Sequence, residues 1–289
     1  MDVIKPFDPW KSPLCTCPPK YTLNPITGCG HKCLYCYITS YIRDAFNPRV
    51  KKDIIWRVER DLRRLKKGSI IAISYSSDPY SPPEDRVKVM PVILKLMKEY
   101  KMKVLIATKS VLVIRDASLI RDLNAVVSIS VTTPYDDISR IIEPNAPLSS
   151  ERLKAISKLS DMGIPVSLRI DPIIPYLTDS FDALKRLVKK GIDAGIKHVV
   201  SSIYKAKPDS LKRLCNAFPE YSKLWRKLYL IDGSRIYGYY YTPYSYRVKI
   251  LRELREIVTK YNIEFTTCRE GLFHLDTPRT YCDASHLLK

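Results

Sequence analysis

Three cysteines fall within eight residues of the chain, at Cys29, Cys33 and Cys36, in the pattern C-x3-C-x2-C. Three thiolates on one short loop can ligate three irons of a [4Fe–4S] cluster and leave the fourth iron open to a chelating substrate. A structural zinc site instead closes its coordination sphere with four ligands, and Cys15 or Cys17 would have to complete it here. The pattern therefore favours an open iron–sulfur cluster, with a zinc loop as the alternative.

Four more cysteines lie near the two ends of the chain, at Cys15, Cys17, Cys268 and Cys282. Four thiols drawn together from the chain ends suit a second iron–sulfur cluster or a zinc ion. A disulfide with two free thiols, or four buried and unreactive cysteines, fits the same residues. The eighth cysteine, Cys215, lies on an apolar helix face and is predicted to belong to the core.

The elements that must position these residues follow a regular rhythm. From Ile54 onward, amphipathic helical stretches alternate with short apolar runs, which is typical of βα units that build a parallel sheet. Strands are predicted at 21–24, 70–74, 104–107, 126–131, 166–170 and 198–202, with helices at 50–65, 87–100, 112–122, 149–162 and 180–194. Six units predict an α/β fold, a partial (βα)6 TIM-like barrel with a helical C-terminal extension.

The rest of the chain is predicted to extend this barrel at both ends. We expect an N-terminal extension at 1–20, a core barrel at 21–205 and a basic, tyrosine-rich C-terminal cap at 206–289. The cap is predicted to hold helices at 210–229 and 246–261 and a short strand at 264–267. No Gly-rich, Ser-rich or Pro-rich linker precedes it, so it is expected to pack on the barrel.

Polar side chains follow the predicted strands at the ends where a barrel carries its active site. Ser76 and Asp78 come after the second strand and Lys109 after the third, whereas Ser130 and Arg169 lie at the ends of the fourth and fifth. Because the carboxyl ends of barrel strands meet at one face, we expect these side chains to line one pocket.

Four nearby residues carry less specific predictions. Ser110 is at least as well suited to cap the following helix as to bind a ligand. Arg115 and Asp116 are predicted to form a simple surface ion pair. His31 is predicted to be a solvated loop residue.

The cysteine loop, with Tyr35 before its third cysteine, resembles the signature of the radical S-adenosylmethionine (SAM) superfamily. Further motifs are similar to those of proteins related to spore photoproduct lyase: Ser77-Asp78-Pro79-Tyr80 with Glu84, Thr108-Lys109-Ser110 with Arg115-Asp116, and Glu143-Pro144-Asn145-Ala146-Pro147 with Arg152. The resemblance covers about residues 20 to 205 and implies a partial (βα)6 barrel. It also implies that a reduced [4Fe–4S] cluster, supplied by an electron donor, cleaves SAM to methionine and a 5′-deoxyadenosyl radical.

The resemblance implies roles for several candidate residues. Lys109 is expected to pair with the SAM carboxylate, Ser130 to add a hydrogen bond, and Tyr35 to pack near the adenine. Many members carry Gly-Gly-Glu after the second strand, where this chain has Ser76-Ser77-Asp78. Spore photoproduct lyase returns a hydrogen atom to its product radical from a cysteine, and Cys268 is the candidate for that role here.

The charge of the chain points to the partner. The 289 residues include 49 Lys or Arg and 30 Asp or Glu, a net charge of +19, and 45% are hydrophobic, which excludes disordered and collagen-like classes. Residues 185–260 hold 18 Lys or Arg against 6 Asp or Glu, and the run 235–247 interleaves tyrosines with arginines. Such a surface favours nucleic acid, DNA or RNA, although a thermophile's basic helices and packed tyrosines are the alternative.

The leading prediction is a radical SAM enzyme, lyase or transferase, that acts on a nucleic-acid base or nucleotide. Radical modification of a protein or small metabolite is the first alternative. A nucleic-acid-binding protein with a structural zinc is the alternative of another class. The chain has no apolar run long enough to span a bilayer and no signal-peptide pattern, so a cytoplasmic location without membrane contact is expected.

Overall fold

A computed structural model describes residues 2–7 and 12–289. A mixed, mostly parallel β-sheet forms the centre of this α/β molecule. In chain order the strands are β1 (Ile4–Pro6), β2 (Tyr21–Leu23), β3 (Ile26–Thr27), β4 (Arg49–Val50), β5 (Ile70–Ile73), β6 (Lys103–Thr108), β7 (Asn124–Ser130), β8 (Val166–Ile173), β9 (His198–Ile203), β10 (Ser234–Ile236), β11 (Tyr239–Tyr241) and β12 (Glu264–Thr267). The helices are α1 (Ile54–Leu62), α2 (Glu84–Val87), α3 (Val89–Glu99), α4 (Ala117–Arg121), α5 (Asp136–Ile142), α6 (Ser149–Asp161), α7 (Phe181–Asp193), α8 (Pro208–Ala217), α9 (Pro219–Arg226) and α10 (Tyr244–Thr259).

The main sheet of the described residues has eight strands in the order β1-β2-β5-β6-β7-β8-β9-β12. All neighbours from β2 to β12 are parallel, and β1 adds an antiparallel edge next to β2. Helices connect the successive parallel strands, as βα crossovers require. The predicted α/β fold, a partial TIM-like barrel, is confirmed.

The core lies between this sheet and the helices that cover it. Strand residues Ile71, Val127 and Leu168 are fully buried, as are Ile93 of α3 and Leu187 of α7. Parallel strands are covered on both faces, which explains their continuous apolar sequences. Gly163 and Gly195 have positive φ angles directly after α6 and α7, and end those helices as predicted.

The ends of the chain also contribute to the sheet. Strand β12, which was expected only as a part of the cap, pairs in parallel with β9 from Glu264↔His198 to Thr267↔Ser201. Strand β1, for which no strand was predicted, pairs with β2. Both are short, and their pairing partners are distant in sequence, so local periodicity carries little signal for them.

Three predicted helices have different bounds. The helix predicted at 50–65 begins only at Ile54, because Arg49–Val50 pairs with Ile26–Thr27. The helix predicted at 112–122 is a 3-10 turn, Val111–Asp116, followed by α4. The helix predicted at 210–229 is split between α8 and α9, because Pro219 lacks the backbone N–H that a continuing helix needs. Helix α5 was not predicted.

A second apolar cluster joins the cysteine loop to the C-terminal part of the chain. It includes Cys33 and Tyr35 of the loop, Tyr204 after β9, and Cys215 and Trp225 of α8 and α9. Cys215 is buried there, so its assignment to the core is confirmed. Within the described part of the chain, no helix is both long and apolar enough to cross a membrane.

Candidate active site at the barrel mouth

One cavity of about 440 Å³ opens where the parallel strands end. It brings together every site residue predicted from the sequence: Cys29, Cys33, Cys36, Tyr35, Ser76, Asp78, Lys109, Ser130, Arg169, Cys15, Cys17, Cys268 and Cys282. Ligand and cofactor sites usually measure a few hundred cubic ångströms and occupy this end of barrel folds. The carboxyl ends of the strands therefore form the candidate active site.

The cysteine loop connects β3 to β4, which pair with each other as a separate two-stranded sheet. The backbone N–H of Cys29 donates to the Ala45 carbonyl at 2.8 Å, and the N–H of Leu34 donates to the Ile142 carbonyl at 2.8 Å. Gly28 has φ +81°, and a Cβ there would lie 2.7 Å from the Ala45 oxygen. Only glycine fits this close approach, so the loop conformation depends on Gly28.

The three thiols of the loop line the cavity. Burial is the main cause that raises the pKa of Cys29, Cys33 and Cys36 to about 12 each, because a thiolate there loses its hydration. Without a bound cation the thiols are therefore protonated at neutral pH. Ligation by a metal displaces those protons.

His31 is buried inside the loop, with only 2% of its surface exposed, so the prediction of a solvated residue is wrong. Its Nε2 lies 3.1 Å from Oδ2 of Asp78, and its Nδ1 lies 3.3 Å from the Asn145 carbonyl oxygen. Asn145 also donates from Nδ2 to the Gly30 carbonyl at 3.0 Å. These contacts attach the cysteine loop to two other loops of the mouth.

Asp78 lines the cavity, but both oxygens of its carboxylate already accept bonds from the protein. Oδ1 accepts from Thr108 Oγ1 at 2.7 Å and from the Tyr80 N–H at 2.9 Å, and Oδ2 accepts from the Lys109 N–H at 2.6 Å. Burial opposes ionisation, but His31 and these bonds outweigh it, and the pKa of Asp78 is lowered. Its carboxylate thus links the cysteine loop to the loop after β6.

Lys109 presents its ammonium group to the cavity next to Tyr35. Its Nζ lies 4.0 Å from Oε1 of Glu143 and 5.5 Å from the centre of the Tyr35 ring. Burial works against the charged form, yet Cys33 and Glu143 hold the pKa of Lys109 above its usual value. The group is therefore a cation at neutral pH, at the place where an anionic ligand would enter.

A buried network around Glu143 supports Lys109 and Tyr35. The Tyr35 hydroxyl and the Arg152 guanidinium both donate to the Glu143 carboxylate, and Arg152 also donates to the carbonyls of Ser130 at 2.8 Å and Pro147 at 2.7 Å. Arg152 and Glu143 are almost fully buried. Burial opposes the Glu143 charge, but Arg152 and Lys109 lower the pKa of this carboxyl.

The remaining predicted cofactor residues occupy different walls. Ser76 follows β5, and its N–H donates to Oδ1 of Asn24 at 3.4 Å. Ser130 ends β7 and is held by Arg152 through its carbonyl. Arg169, on β8, donates to Asp171 at 2.8 Å and to the Cys282 carbonyl at 3.1 Å, so it lies against the C-terminal segment.

The ion pair of Arg115 and Asp116 is not a simple surface pair as predicted. Arg115 donates at 2.8 Å to Asp116 and at 2.8 Å to the fully buried Glu84. Glu84 in turn accepts bonds at 3.0 Å from the N–H groups of Val89 and Met90. The network joins the start of α3 to the loop after β6. Ser110 caps the next turn, accepting from the Leu112 N–H at 3.2 Å, as predicted.

The four outer cysteines converge at one side of the cavity. The Sγ atoms of Cys17 and Cys282 are 3.4 Å apart, Cys15 contacts Cys17, and Cys268 contacts Cys282. Among residues 2–7 and 12–289, no three His, Cys, Asp or Glu side chains are already arranged around a single-ion position. The thiols form a row along the wall.

Sequence reasoning missed the contribution of the C-terminal part to this cavity. Tyr204, Lys205, Tyr239 and Arg269 all line it. Lys205 donates to Glu270 at 2.8 Å, and Arg269 lies 5.1 Å from the centre of the Tyr239 ring. Tyr239 belongs to the tyrosine-rich run noted in the sequence, and Arg269 follows Cys268. Neither position has local periodicity that would point into the mouth.

Comparison with known proteins identifies the family. The Radical SAM superfamily profile matches residues 23–188, which span β2 to α7 and include the three cysteines of the loop. The chain belongs to the radical SAM superfamily. A Mycobacterium tuberculosis protein is 27% identical over 267 residues, covering 85% of this chain and 76% of its own length. A Methanocaldococcus jannaschii protein is 33% identical over 182 residues, 61% of this chain and 67% of the relative.

Two solved structures share the fold. Spore photoproduct lyase with bound AdoMet and dinucleoside spore photoproduct has a TM-score of 0.69 at 14% identity, covering 90% of this chain and 79% of the lyase. Streptococcus suis SuiB bound to S-adenosylmethionine has a TM-score of 0.56 at 18% identity, covering 85% of this chain and 49% of SuiB. At these identities the likeness concerns the fold.

The cavity fits the two cofactors of the radical SAM superfamily, a [4Fe–4S] cluster and SAM. Three thiols from one loop face it, which is the donor set for a cluster with one open iron. Lys109 offers a cation for a carboxylate, and the cavity volume of about 440 Å³ is that of a site for a small molecule. The chain is therefore a radical SAM enzyme in its fold and in the chemistry of its site.

Proposed function

We propose that this radical SAM enzyme acts on a base or nucleotide of DNA or RNA. The observation that carries the proposal is a group of cations around Tyr239 at the mouth of the cavity. Lys207 Nζ lies 4.0 Å from the centre of the Tyr239 ring and Arg269 lies 5.1 Å from it. The Tyr37 ring, at the end of the cysteine loop, lies 6.3 Å from the Tyr239 ring. The Tyr239 ring itself is buried and holds the cations in place. Such a group of cations suits the phosphates of a nucleic acid.

Electrostatics supports an anionic substrate at this mouth. Burial and then the neighbouring charge of Arg235 lower the pKa of Lys207, with Arg269 adding to the repulsion. Like charges held this close repel one another, and a polyanion relieves that repulsion. Tyr237 and Tyr244 of the tyrosine-rich run are exposed nearby in sequence, whereas Tyr239 and Tyr241 are buried in the β11 strand. The run is thus part packed strand and part exposed aromatic surface.

In this proposal, each of the residues that line the cavity has a role. Cys29, Cys33 and Cys36 hold the cluster, Lys109 pairs with the SAM carboxylate, and Ser130 adds a hydroxyl hydrogen bond. When bound and reduced, the cofactors generate the radical that takes a hydrogen atom from the substrate. An external electron donor is required.

The remaining candidates act around this centre. Tyr35 packs beside the adenine, Ser76 is a candidate SAM contact from the loop after β5, and Asp78 positions the loops through its protein partners. Arg169 belongs to the wall that holds the C-terminal segment. Cys268 lines the cavity as the candidate hydrogen-atom donor.

Radical modification of a peptide or small metabolite is the second candidate. SuiB, which shares the fold, has been solved bound to a precursor peptide. The basic mouth of the cavity would then bind acidic groups of a peptide or metabolite instead of phosphates. The reading as a nucleic-acid-binding protein with a structural zinc is less well supported, because superfamily membership and the cavity favour catalysis. The cytoplasmic location stays a prediction.

Formation of 5′-deoxyadenosine tests the enzymatic part. We expect the anaerobically reconstituted chain, given dithionite and SAM, to release 5′-deoxyadenosine, and Cys33→Ala to reduce the yield at least about 100-fold because the cluster loses a ligand. Cys215→Ala, which changes a core thiol outside the cavity, should retain activity. An intact cluster that gives no 5′-deoxyadenosine would contradict the proposal.

Isotope transfer tests the substrate class. Deuterium-labelled RNA, DNA and a tryptic peptide mixture are incubated separately with the reconstituted enzyme, dithionite and SAM. We expect deuterium to appear in 5′-deoxyadenosine with one of the nucleic acids, because the substrate hydrogen ends in that product. Label transfer from peptides alone would favour the second candidate.

A further inference from the structure

We propose that Cys15, Cys17, Cys268 and Cys282 form a second, thiolate-ligated metal site in the wall of the cavity. This site is separate from the cysteine loop, and the proposal does not depend on the identity of the substrate. The chemical class of ligand is a metal that prefers soft thiolates, either an iron–sulfur cluster or a zinc ion. The geometry, the surrounding charges and the burial of the four residues each support it.

The four thiols meet although they come from opposite ends of the chain. Cys17 and Cys282 are 265 positions apart in sequence, and their Sγ atoms are 3.4 Å apart. Cys15 extends this contact on one side and Cys268 on the other. A tetrahedral zinc ion with Zn–S bonds of about 2.3 Å holds its sulfurs about 3.8 Å apart, close to this spacing, whereas the cysteine sulfurs of an iron–sulfur cluster lie farther apart. The four thiols now form a row, so ligation requires rotation of side chains within the wall.

Cations outnumber carboxylates beside the row of thiols. Four thiolates with a divalent ion or a [4Fe–4S]²⁺ core carry a net charge of about −2. Arg169 and Lys20 lie beside the thiols, and Lys20 forms a fully buried 2.6 Å pair with Asp283, next to Cys282. Asp171 and Asp283 neutralise these two cations. Lys205, which is paired with Glu270, and Arg269 also lie near Cys268, so the cations beside the thiols outnumber these three carboxylates by one.

Arg169 also offers a hydrogen-bond donor to a metal-bound thiolate. Its Nη1 and Nη2 are satisfied by Asp171 and by the Cys282 carbonyl, but its buried Nε has no hydrogen-bond partner within the described residues. A buried donor without a partner is costly. An N–H directed at a metal-bound sulfur would satisfy it, and such bonds are typical around thiolate metal centres.

The site would fasten the ends of the chain to the barrel. Cys268 follows β12, and its N–H donates to the Ser201 carbonyl of β9 at 2.9 Å. Cys282 is bound to β8 through Arg169, while Cys15 and Cys17 precede β2. Metal binding releases the thiol protons to solvent, so a ligated Cys268 carries no S–H hydrogen. Ligation and hydrogen donation by Cys268 therefore exclude each other.

A variant without the three cysteines of the loop isolates the second site. Cys29, Cys33 and Cys36 are replaced by alanine, and the protein is purified and reconstituted anaerobically with iron and sulfide or with zinc. We expect this variant to retain one site, either about four irons with four sulfides or about one zinc. Adding Cys17→Ser and Cys282→Ser should reduce that metal at least about tenfold, whereas adding Cys215→Ser should leave it unchanged.

A cobalt(II) titration provides a second readout that needs only the first variant to fold. Tetrahedral thiolate coordination gives intense near-ultraviolet absorption, whereas cobalt bound by water and carboxylates absorbs weakly. No stoichiometric metal and no thiolate absorption in the folded variant would overturn the proposal. So would a Cys17–Cys282 disulfide in anaerobically purified protein, detected by mass spectrometry. Because this variant cannot produce 5′-deoxyadenosine, its result is independent of the proposed function.

Discussion

At the scale of single residues, the site depends on side chains that hold other side chains. The Asp78 carboxylate accepts a hydrogen bond from the backbone N–H of Lys109. Its Oδ2 also lies 3.1 Å from Nε2 of His31 in the cysteine loop. Glu143 does the same for Tyr35 and Arg152. Buried carboxylates of this kind are costly unless they are paired, so their presence here indicates that the relative position of these loops matters.

Replacement of Lys109 tests the predicted ion pair with SAM. We expect Lys109→Met to weaken SAM binding about 10- to 100-fold, because a hydrogen bond between charged groups contributes about 1.5–3 kcal/mol. The free energy of unfolding should change little, since the nearest carboxylate oxygen lies 4.0 Å away. Lys103→Met, at the other end of the same strand, is the matched control. Equal SAM affinities of wild type and Lys109→Met, measured by equilibrium dialysis, would refute the assignment.

Replacement of Glu143 tests the buried network. Glu143→Gln should lower the free energy of unfolding by about 3–5 kcal/mol at pH 7, because it leaves Arg152 buried without a countercharge. The pKa of Glu143 is lowered in the folded protein, so the stability from its ionised form is present above the usual Glu pKa. It is lost as the pH falls through the lowered pKa. Denaturant unfolding from pH 7 downward should therefore show the two proteins converging, and a constant difference would contradict this account.

At the scale of elements, the barrel places loops that are far apart in sequence around one cavity. Three segments meet there: the cysteine loop after β3, the loop after β6 and the segment after α5. They meet because the strands that precede them are neighbours in the main sheet or lie beside it. The cysteine loop follows a strand of only two residues, Ile26–Thr27. The shape of the loop therefore depends on its turns and on contacts with other loops. Its glycine is the position where this dependence is clearest.

Gly28→Ala and Gly68→Ala form a matched pair for the cysteine loop. Both glycines have φ +81°, so alanine brings the same backbone strain, about 1–2 kcal/mol, at both positions. A Cβ at Gly28 would meet the Ala45 oxygen at 2.7 Å, whereas nothing lies within 4 Å of a Cβ at Gly68. We expect Gly28→Ala to lose most of its loop iron after reconstitution and Gly68→Ala to retain it. Equal iron content in the two variants would show that the close approach is not required.

At the scale of the whole molecule, charge and cavity lie together. The surplus of Lys and Arg in residues 185–260 belongs to α7 through α10, and this part of the chain supplies Lys205 and Tyr239 to the mouth. The N-terminal and C-terminal segments add the row of outer thiols on another wall. A long anionic substrate could thus contact the basic surface while one of its units enters the cavity.

The salt dependence of nucleic-acid binding tests that arrangement. We expect Lys207→Gln with Arg235→Gln to weaken binding of single-stranded RNA or DNA and to flatten the slope of log K against log salt by about 1.4, or about 0.7 for each lost phosphate contact. Lys66→Gln with Lys67→Gln is the control, because that loop precedes β5 at the opposite end of the strands. Identical slopes for both double variants, measured by fluorescence anisotropy, would argue against a phosphate-binding mouth.

The sequence alone determined the features that are local. Cys29, Cys33 and Cys36 lie within eight residues, so their spacing can be read from the sequence. The alternation of strands and helices is visible in the periodicity of the apolar residues. Both predicted the chemistry and the fold class before any contact was known. Glycines after α6 and α7 were equally readable, because helix ends have local signals.

Only the tertiary structure decided which distant residues meet. The row of Cys15, Cys17, Cys282 and Cys268, the burial of His31 against Asp78, and the place of β12 beside β9 join positions far apart in the chain. Periodicity reports which face of an element is buried, but it does not name the partner that covers that face. Those partners are set by the order of strands in the sheet, where parallel pairing brings the carboxyl ends of separate segments to one mouth.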